Sequence, residues 1–576
     1  MKLLPYFKKY KWYFIISAFF ILIVSGLVAI NPYVEGLITS SLHESLLNDD
    51  PVNLDYILTI VLFLIGSYTL IGVLRLTFNF LLTKAIQSSM KSLRDDVQQK
   101  IHRLPIKYFD THPIGDIMSR MSNDVETVGN GLQQSFSTTI SAFLTIIFIL
   151  TMMFILKPSL ALIGLAMFPV ILIIARVILK KSRPLYNKRY SSYGVLTGHL
   201  QEQYTGFKEI TLYNKQEDAS KMFDGIMDDL SDYVFKSDFI SGLLNPLVST
   251  VTYIALVFIS IFGAKLVISG VILLGVLQTF IKYIWRLGTP ISQITQMSIV
   301  IQSTFAAASR VFEFLSEDEE IKDTENPLTI NNLNGSVEFK NVSFSYNKER
   351  PILKNISFKA NPGQMIAIVG PTGSGKTTII NLLMRFYDID EGQILLDEID
   401  IRSLKKDELR TIFGMVLQDT WLFNGTIAEN IKYGKDDATM EEIIKAAENA
   451  KIDHYVKTLP KGYQMKINEE GDNISQGEKQ LLTIARAFLA DPSILILDEA
   501  TSTVDTRLEL MLQEAMQSIM QDRTSFVIAH RLSTIKNADL IIVLKDGEII
   551  ETGNHEQLLK EQGFYFNLYN SQFSED

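Results

Sequence analysis

Six apolar runs in the first 300 residues constrain this chain more than any other feature. They fall near 12–34, 56–82, 135–156, 159–179, 246–268 and 271–300, and each suits the roughly 20 helical residues that cross a hydrocarbon core about 30 Å thick. Backbone in lipid must satisfy its own hydrogen bonds, so the expected form is a bundle of six membrane helices. The first run is too long for a signal peptide and no small-residue cleavage site follows it, so it is expected to stay attached. An apolar content of 47% agrees with a chain partly in a membrane.

Loop charge orients the bundle, because Lys and Arg near helix ends are retained inside. Lys2, Lys8, Lys9 and Lys11 precede the first run, and Lys84, Lys91, Arg94, Lys100, Arg103, Lys107 and Arg120 lie in segment 83–134. Segment 35–54 carries Glu35, Glu44, Asp49 and Asp50 without a basic residue, and is expected as an outside loop. Six spans then leave both termini in the cytoplasm of a plasma membrane, and the layout suits a bacterial one. The inside connections 83–134 and 180–245 have helical patterns and few breakers, so the membrane helices are expected to continue beyond the bilayer. Turns are expected around 111–116 and 213–218, either docking on a soluble domain or capping a solvated hairpin.

Charges at membrane depth are costly. Lys282 and Arg286 in the sixth run, and Arg75 in the second, have two readings: they line a substrate cavity, or they snorkel or lie beyond the bilayer on an extended helix.

Residues 1–320 carry 27 Lys/Arg against 25 Asp/Glu, leaving 27 against 39 for the remainder. That acidic balance, with no basic stripe interleaved with aromatics, excludes a nucleic-acid binder. The chain has no cysteine, which excludes disulfides, thiolate catalysis and cysteine-based zinc sites.

We expect a membrane domain over 1–320, a linker over 321–334 containing the acidic SEDEEIKDTENP stretch's end, and a second domain over 335–576. In the latter, short apolar strands alternate with helical patterns, as in an α/β domain on a largely parallel sheet. GPTGSGKTT, comprising Gly370, Pro371, Thr372, Gly373, Ser374, Gly375, Lys376, Thr377 and Thr378, fits the phosphate-loop pattern G-x-x-x-x-G-K-[ST]. Its context fits too: MIAIV is a buried-strand pattern before it and TTIINLLMRFY a helix after it. Glycines let successive N–H groups face phosphates at a helix N-terminus, Lys376 adds charge toward the β/γ-phosphates, and Thr377 offers Mg2+ a hydroxyl. SILILDEATS ends an apolar strand in two carboxylates, with Asp498 suited to hold Mg2+ through water and Glu499, on the opposite face, to polarise an attacking water.

NISQGEKQLLTIARAFLADP lies between these motifs and VIAHRLST follows them. This order behind six spans resembles an ATP-binding cassette (ABC) exporter half-transporter of the bacterial multidrug type, over essentially the whole chain. The resemblance implies a six-helix membrane domain followed by an α/β P-loop ATPase domain that exports hydrophobic or amphipathic compounds by alternating access. A lipid flippase, or an ATP-gated channel or regulator, shares the architecture. By resemblance, Tyr346 stacks on adenine, Gln418 contacts Mg2+ and senses the γ-phosphate, Asp505 links two sites, and His530 holds the γ-phosphate and water. Ser475, Gln476, Gly477 and Glu478 form the signature that caps a nucleotide on the other subunit. Segment 108–125 is similar to the first coupling region and 469–471 to a cross-linking loop.

The family signature is usually Leu-Ser-Gly-Gly-Gln, whereas here Ile474, Ser475, Gln476, Gly477 and Glu478 align with it. One glycine is lost, and a carboxylate replaces an amide near a trianionic group. With Glu499, His530 and Gln418 intact, this resembles one half of a heterodimeric exporter, so the expected partner is a different half-transporter rather than a second copy.

Overall fold

The computed structural model describes the chain apart from residues 1–2, 325, 331–332, 349, 418–419, 469–472, 499–505, 530–531 and 574–576. It divides into two compact units: 1–103 with 113–318, and 104–112 with 319–576.

The first unit is a set of long helical rods. Five described stretches are long and apolar enough to cross a membrane: Lys11–Asn48, Leu54–Ile101, Ile114–Leu156, Pro158–Thr205 and Gln216–Ile268. The sixth expected run falls on the 42-residue helix Leu274–Leu315. A 48-residue helix is about 72 Å long at 1.5 Å per residue, more than twice the hydrocarbon thickness, so the rods run well past a bilayer. Local chemistry sets their starts. The Asn53 side chain accepts from the Tyr56 N–H at 3.0 Å, and Pro158 occupies a first-turn position where no N–H is needed. The expected turns are present, as breaks between Ile106–Thr111 and Ile114–Ser119 and between Phe207–Leu212 and Gln216–Gly242.

One expectation fails. Segment 35–54 is not a loop: the first rod continues to Asn48, and only 49–53 connect it to the second. Tertiary contact explains the extension. A Cβ on Gly36 would sit 2.4 Å from the Gly275 oxygen, so the first and sixth rods cross backbone to backbone. Around that crossing, the Gly275 N–H donates to Ser40 Oγ at 3.2 Å and Thr279 Oγ1 donates to the Pro32 oxygen at 3.1 Å. Glu35 accepts from Lys282 and from the Tyr68 hydroxyl, and Arg286 donates to the Val28 oxygen at 2.6 Å. Lys282 and Arg286 thus have polar partners on the first rod.

The second unit contains the expected parallel sheet. Its strand order is Glu548–Gly553, Leu540–Lys545, Met365–Val369, Thr524–Ile528, Ile494–Asp498 and Phe413–Val416. Only the Glu548–Gly553 edge pairs antiparallel. The parallel strands are apolar along almost their whole length because both faces are covered. A second, four-stranded antiparallel sheet of Leu353–Ala360, Val337–Phe344, Glu391–Leu396 and Ile399–Asp400 adds to the parallel architecture expected. Where a linker is expected, the Leu328 N–H donates to the Ser403 oxygen at 2.9 Å, and just before it Glu320 pairs with Arg410 at 2.6 Å.

Candidate nucleotide site

The parallel strands end at one edge of the sheet, where ligands bind in folds of this kind. Met365–Val369 leads into the glycine-rich loop, and Gly375 opens the helix Lys376–Leu383 with φ +105°. That backbone favours glycine, and a Cβ there would meet Leu353 Cδ2 at 2.7 Å. At Gly370 a Cβ would lie 2.2 Å from the Leu544 oxygen, so the loop presses onto the neighbouring strand. Gly373 has φ +81° and open space around it. Pro371, Thr372 and Thr377 are exposed, while Ser374 and Thr378 are buried.

Lys376 Nζ donates to the Gly370 and Pro371 oxygens at 2.8 and 3.1 Å, curled over its own loop. Burial holds its ammonium below the usual lysine range, and the charge of Asp498 partly offsets that. Asp498 ends strand Ile494–Asp498 and lies in register with Ile528, whose strand also flanks Met365–Val369. A cation and a carboxylate thus interact electrostatically at the sheet edge. The buried Ser374 hydroxyl has no hydrogen-bond partner among the described residues, and an orphaned buried hydroxyl is costly unless a ligand completes it. This cradle, its ammonium and its free hydroxyl suit a polyphosphate; Thr377 and Asp498 supply the hard oxygen donors that Mg2+ prefers.

Tyr346 is part of an aromatic cluster beside this loop. Its ring meets those of Phe344 and Tyr387 edge-on, each at 4.9 Å, and its hydroxyl accepts from Asn381 Nδ2 at 3.1 Å. The Tyr387 hydroxyl donates to the Asp110 carboxylate, and burial together with that bond holds the phenol above its ordinary range. The sequence offered no signal for Tyr387 and marked Asp110 only as part of segment 108–125; the two are 277 positions apart.

The signature opens another helix. Ser475 is the N-cap of Gln476–Ala490: its N–H donates to the Glu478 carboxylate at 2.8 Å while its Oγ accepts from the Glu478 N–H at 3.5 Å. This is a capping box, and the S-x-x-E spacing was readable in the sequence. Gln476 is exposed and Gly477 buried. Gln418, Glu499, Asp505, His530 and the 469–471 loop lie outside the described residues.

A phosphate loop at the edge of this sheet, joined in one chain to membrane-length rods, defines a membrane-embedded P-loop ATPase. Comparison with known proteins gives the family. Residues 14–291 match the ABC transporter transmembrane region, and 353–502 match the ABC transporter family. The chain is 46% identical over 488 residues to a fatty acid ABC transporter ATP-binding/permease protein of Mycobacterium bovis, covering 85% of this chain and 77% of that one. It is 37% identical over 500 residues to a probable multidrug resistance ABC transporter ATP-binding/permease protein, YheH, of Bacillus subtilis, covering 86% and 74%. A solved bacterial Atm1-family ABC exporter with ATP bound superimposes with a TM-score of 0.79 at 26% identity, covering 98% of each chain. The protein belongs to the ABC transporters, as an exporter with its membrane and ATPase parts fused. It is a multi-pass membrane ATPase that couples ATP to export, and exporters of this family act as dimers.

Proposed function

We propose that this half-transporter moves hydrophobic or amphipathic compounds outward across a plasma membrane, with both termini cytoplasmic. The observation that carries the ATP side is the glycine-rich loop at the carboxyl edge of the parallel sheet, where Lys376 curls over its own backbone within electrostatic reach of Asp498, beside a buried Ser374 hydroxyl that has no hydrogen-bond partner among the described residues. The cargo class draws support from two relatives, one named for fatty acids and one for multidrug resistance.

In this reading the backbone of 370–376 and Lys376 bind the phosphates of ATP, Thr377, Gln418 and Asp498 hold Mg2+, and Tyr346 packs against adenine. The metal, when bound, neutralises charge developing on the transferred phosphoryl group. Glu499 takes a proton from the attacking water, His530 orients that water, and Asp505 relays between sites. Replacing Glu499 by Gln should keep ATP binding and nearly abolish hydrolysis and transport in proteoliposomes; normal turnover in that variant would remove Glu499 from the role.

The second half of the transporter is a different subunit. Gln476 replaces a glycine where a backbone must approach phosphate closely, and the Glu478 carboxylate, held at the helix N-terminus, neutralises part of the positive end that would attract an anion. The competent site then combines this chain's Lys376 and Glu499 with the partner's signature. Native mass and ATPase rate of this chain alone, against co-expression with a second half-transporter, test the point. Vigorous turnover of a self-dimer that Ser475→Ala cripples would establish the homodimer instead.

A further inference from the structure

We infer that the membrane unit has an entry site for a single-chain amphipathic anion, an alkyl chain ending in a carboxylate or comparable group, at its N-terminal end. The inference rests on the export reading above and on the N-terminus lying at the inner face, and it names the cargo more closely.

A cavity of about 970 Å3 opens between the short N-terminal helix Leu4–Lys8, the start of the first rod, and the second, third and sixth rods. That is at the upper end of the range for small-molecule sites. Its wall is almost wholly apolar, with Phe7, Phe14 and Phe136 forming a ladder of edge-on rings at 5.4 and 5.5 Å. Ile86 and Ile301 extend the surface toward the second and sixth rods. The third rod contributes Ser135, Phe136 and Thr139 from a π-helical turn, Ser135–Thr139, that widens the helix at this level. Such turns inside α-helices are frequent at functional sites.

Charge enters the lining from the N-terminal helix and the first turn of the first rod alone. Lys8 and Lys11 are the charged residues of the lining; both are exposed, and neither forms an ion pair among the described residues. Lys11 Nζ sits 5.7 Å from the Trp12 ring centre, a common arrangement at the headgroup level of a bilayer. An apolar chamber with two unneutralised ammonium groups at its mouth complements an anionic head with an apolar tail. It offers no carboxylate to a cationic amphiphile and leaves its lysines unused by a neutral one. The short helix Leu4–Lys8, which brings Lys8 to the lining, is tied to the second rod by Tyr6 Oη donating to Asp96 at 2.6 Å. The occupant we assign is the free amphiphile rather than a membrane phospholipid, because one chain and one head match the single ladder and its paired ammonium groups.

The test uses the full chain in phosphatidylcholine nanodiscs and a hexadecanoate probe with a terminal photoreactive diazirine. Hexadecanol and hexadecylamine probes of equal length serve as comparators. Saturable labelling of peptides 4–15 and 132–140 by the carboxylate is expected, with weaker labelling by the alcohol and amine. Combining Lys8→Gln with Lys11→Gln should raise half-saturation roughly tenfold or more for the carboxylate and leave the alcohol unchanged, and the double Lys→Arg variant should restore binding. Equal labelling by all three probes, or no effect of the double Gln variant, overturns the inference. So does loss of labelling in phosphatidylglycerol discs that excess hexadecanoate cannot reverse, since the site would then belong to membrane lipid. Transport of the same probe is scored separately, in the dimer that hydrolyses ATP, whether self-assembled or formed with a second half-transporter: specific binding without ATP-driven accumulation by that active dimer keeps the site and refutes the export of this cargo, whereas accumulation that is indifferent to Lys8 and Lys11 keeps export and refutes the site.

Discussion

The Ser475 N–H and the Glu478 carboxylate are joined at 2.8 Å, so the residue that departs most in charge from the family signature is bound to the serine that the signature exists to present. The Tyr455 hydroxyl also hydrogen-bonds Glu478; burial and that bond push the phenol up to about 12. Glu478 therefore has a local structural job that glutamine performs equally well, since either side chain closes a capping box. Glu478→Gln should keep the fold and remove one negative charge from the helix N-terminus. We expect higher occupancy of the nucleotide site facing this signature, read by trapped nucleotide per assembled transporter, with a gain of a few-fold. Glu478→Ala should cost about 1 kcal/mol through the lost cap and lower the midpoint of thermal unfolding. If Gln and Ala behave alike, the capping role fails.

Two glycines of the phosphate loop differ in what they tolerate. Gly370→Ala places a methyl 2.2 Å from the Leu544 backbone oxygen, which cannot rotate away. Nucleotide binding should be lost, and thermal stability should fall. Gly373→Ala meets nothing within 4 Å, so its penalty is backbone strain at φ +81°, about 1–3 kcal/mol. It should bind ATP more weakly while remaining folded. Nucleotide titration and thermal unfolding of the two variants check the order, and an equal effect of both would contradict the packing described at Gly370.

The parts legible in the sequence are those set by local pattern. Apolar run length located the membrane rods, and glycine spacing between a buried strand and a helix located the loop around Lys376 before any contact was known. What stayed hidden depends on partners distant in sequence. Residues 35–48 carry acids and serines and read as a loop, yet Gly36 and Ser40 are helical because Gly275 and Thr279 lie against that face. Glu35 looked like a loop acid and is the partner of Lys282, 247 residues on. The antiparallel sheet was missed because its strands are half-exposed and irregular, with register shifts along Val337–Phe344. Glu478 was read for its charge alone, although S-x-x-E also encodes a cap.

Tyr387 bridges Asp110, in the segment similar to a coupling region, and Tyr346, the expected adenine partner. A change at the nucleotide would thus be felt at Asp110 through two side chains. Tyr387→Phe retains the ring packing against Tyr346 and removes only the hydrogen bond to Asp110, a loss of about 1.5–3 kcal/mol where the acceptor is charged. Basal ATPase activity should stay within about twofold, while cargo transported per ATP falls. The measurement is transport and hydrolysis in the same proteoliposomes. Parallel loss of both would make the residue part of the ATPase site rather than a link to the membrane segment.

Lys376 gives the pH dependence. Burial lowers its ammonium below the usual lysine value in the nucleotide-free protein, although Asp498 pulls the other way. Phosphates arriving beside it favour the charged form and must raise that value again. Because the bound state holds its proton more tightly than the free state, nucleotide binding is coupled to proton uptake wherever free Lys376 is partly deprotonated. Affinity for ATP is then constant below the lowered value and falls as pH climbs through it, with a slope that Lys376→Arg abolishes, since a guanidinium stays charged throughout. Calorimetric titrations in buffers of differing ionisation enthalpy report the proton count directly. Absence of proton uptake across that alkaline window, or an identical slope in the arginine variant, would mean that the ammonium is already fully charged in the empty loop.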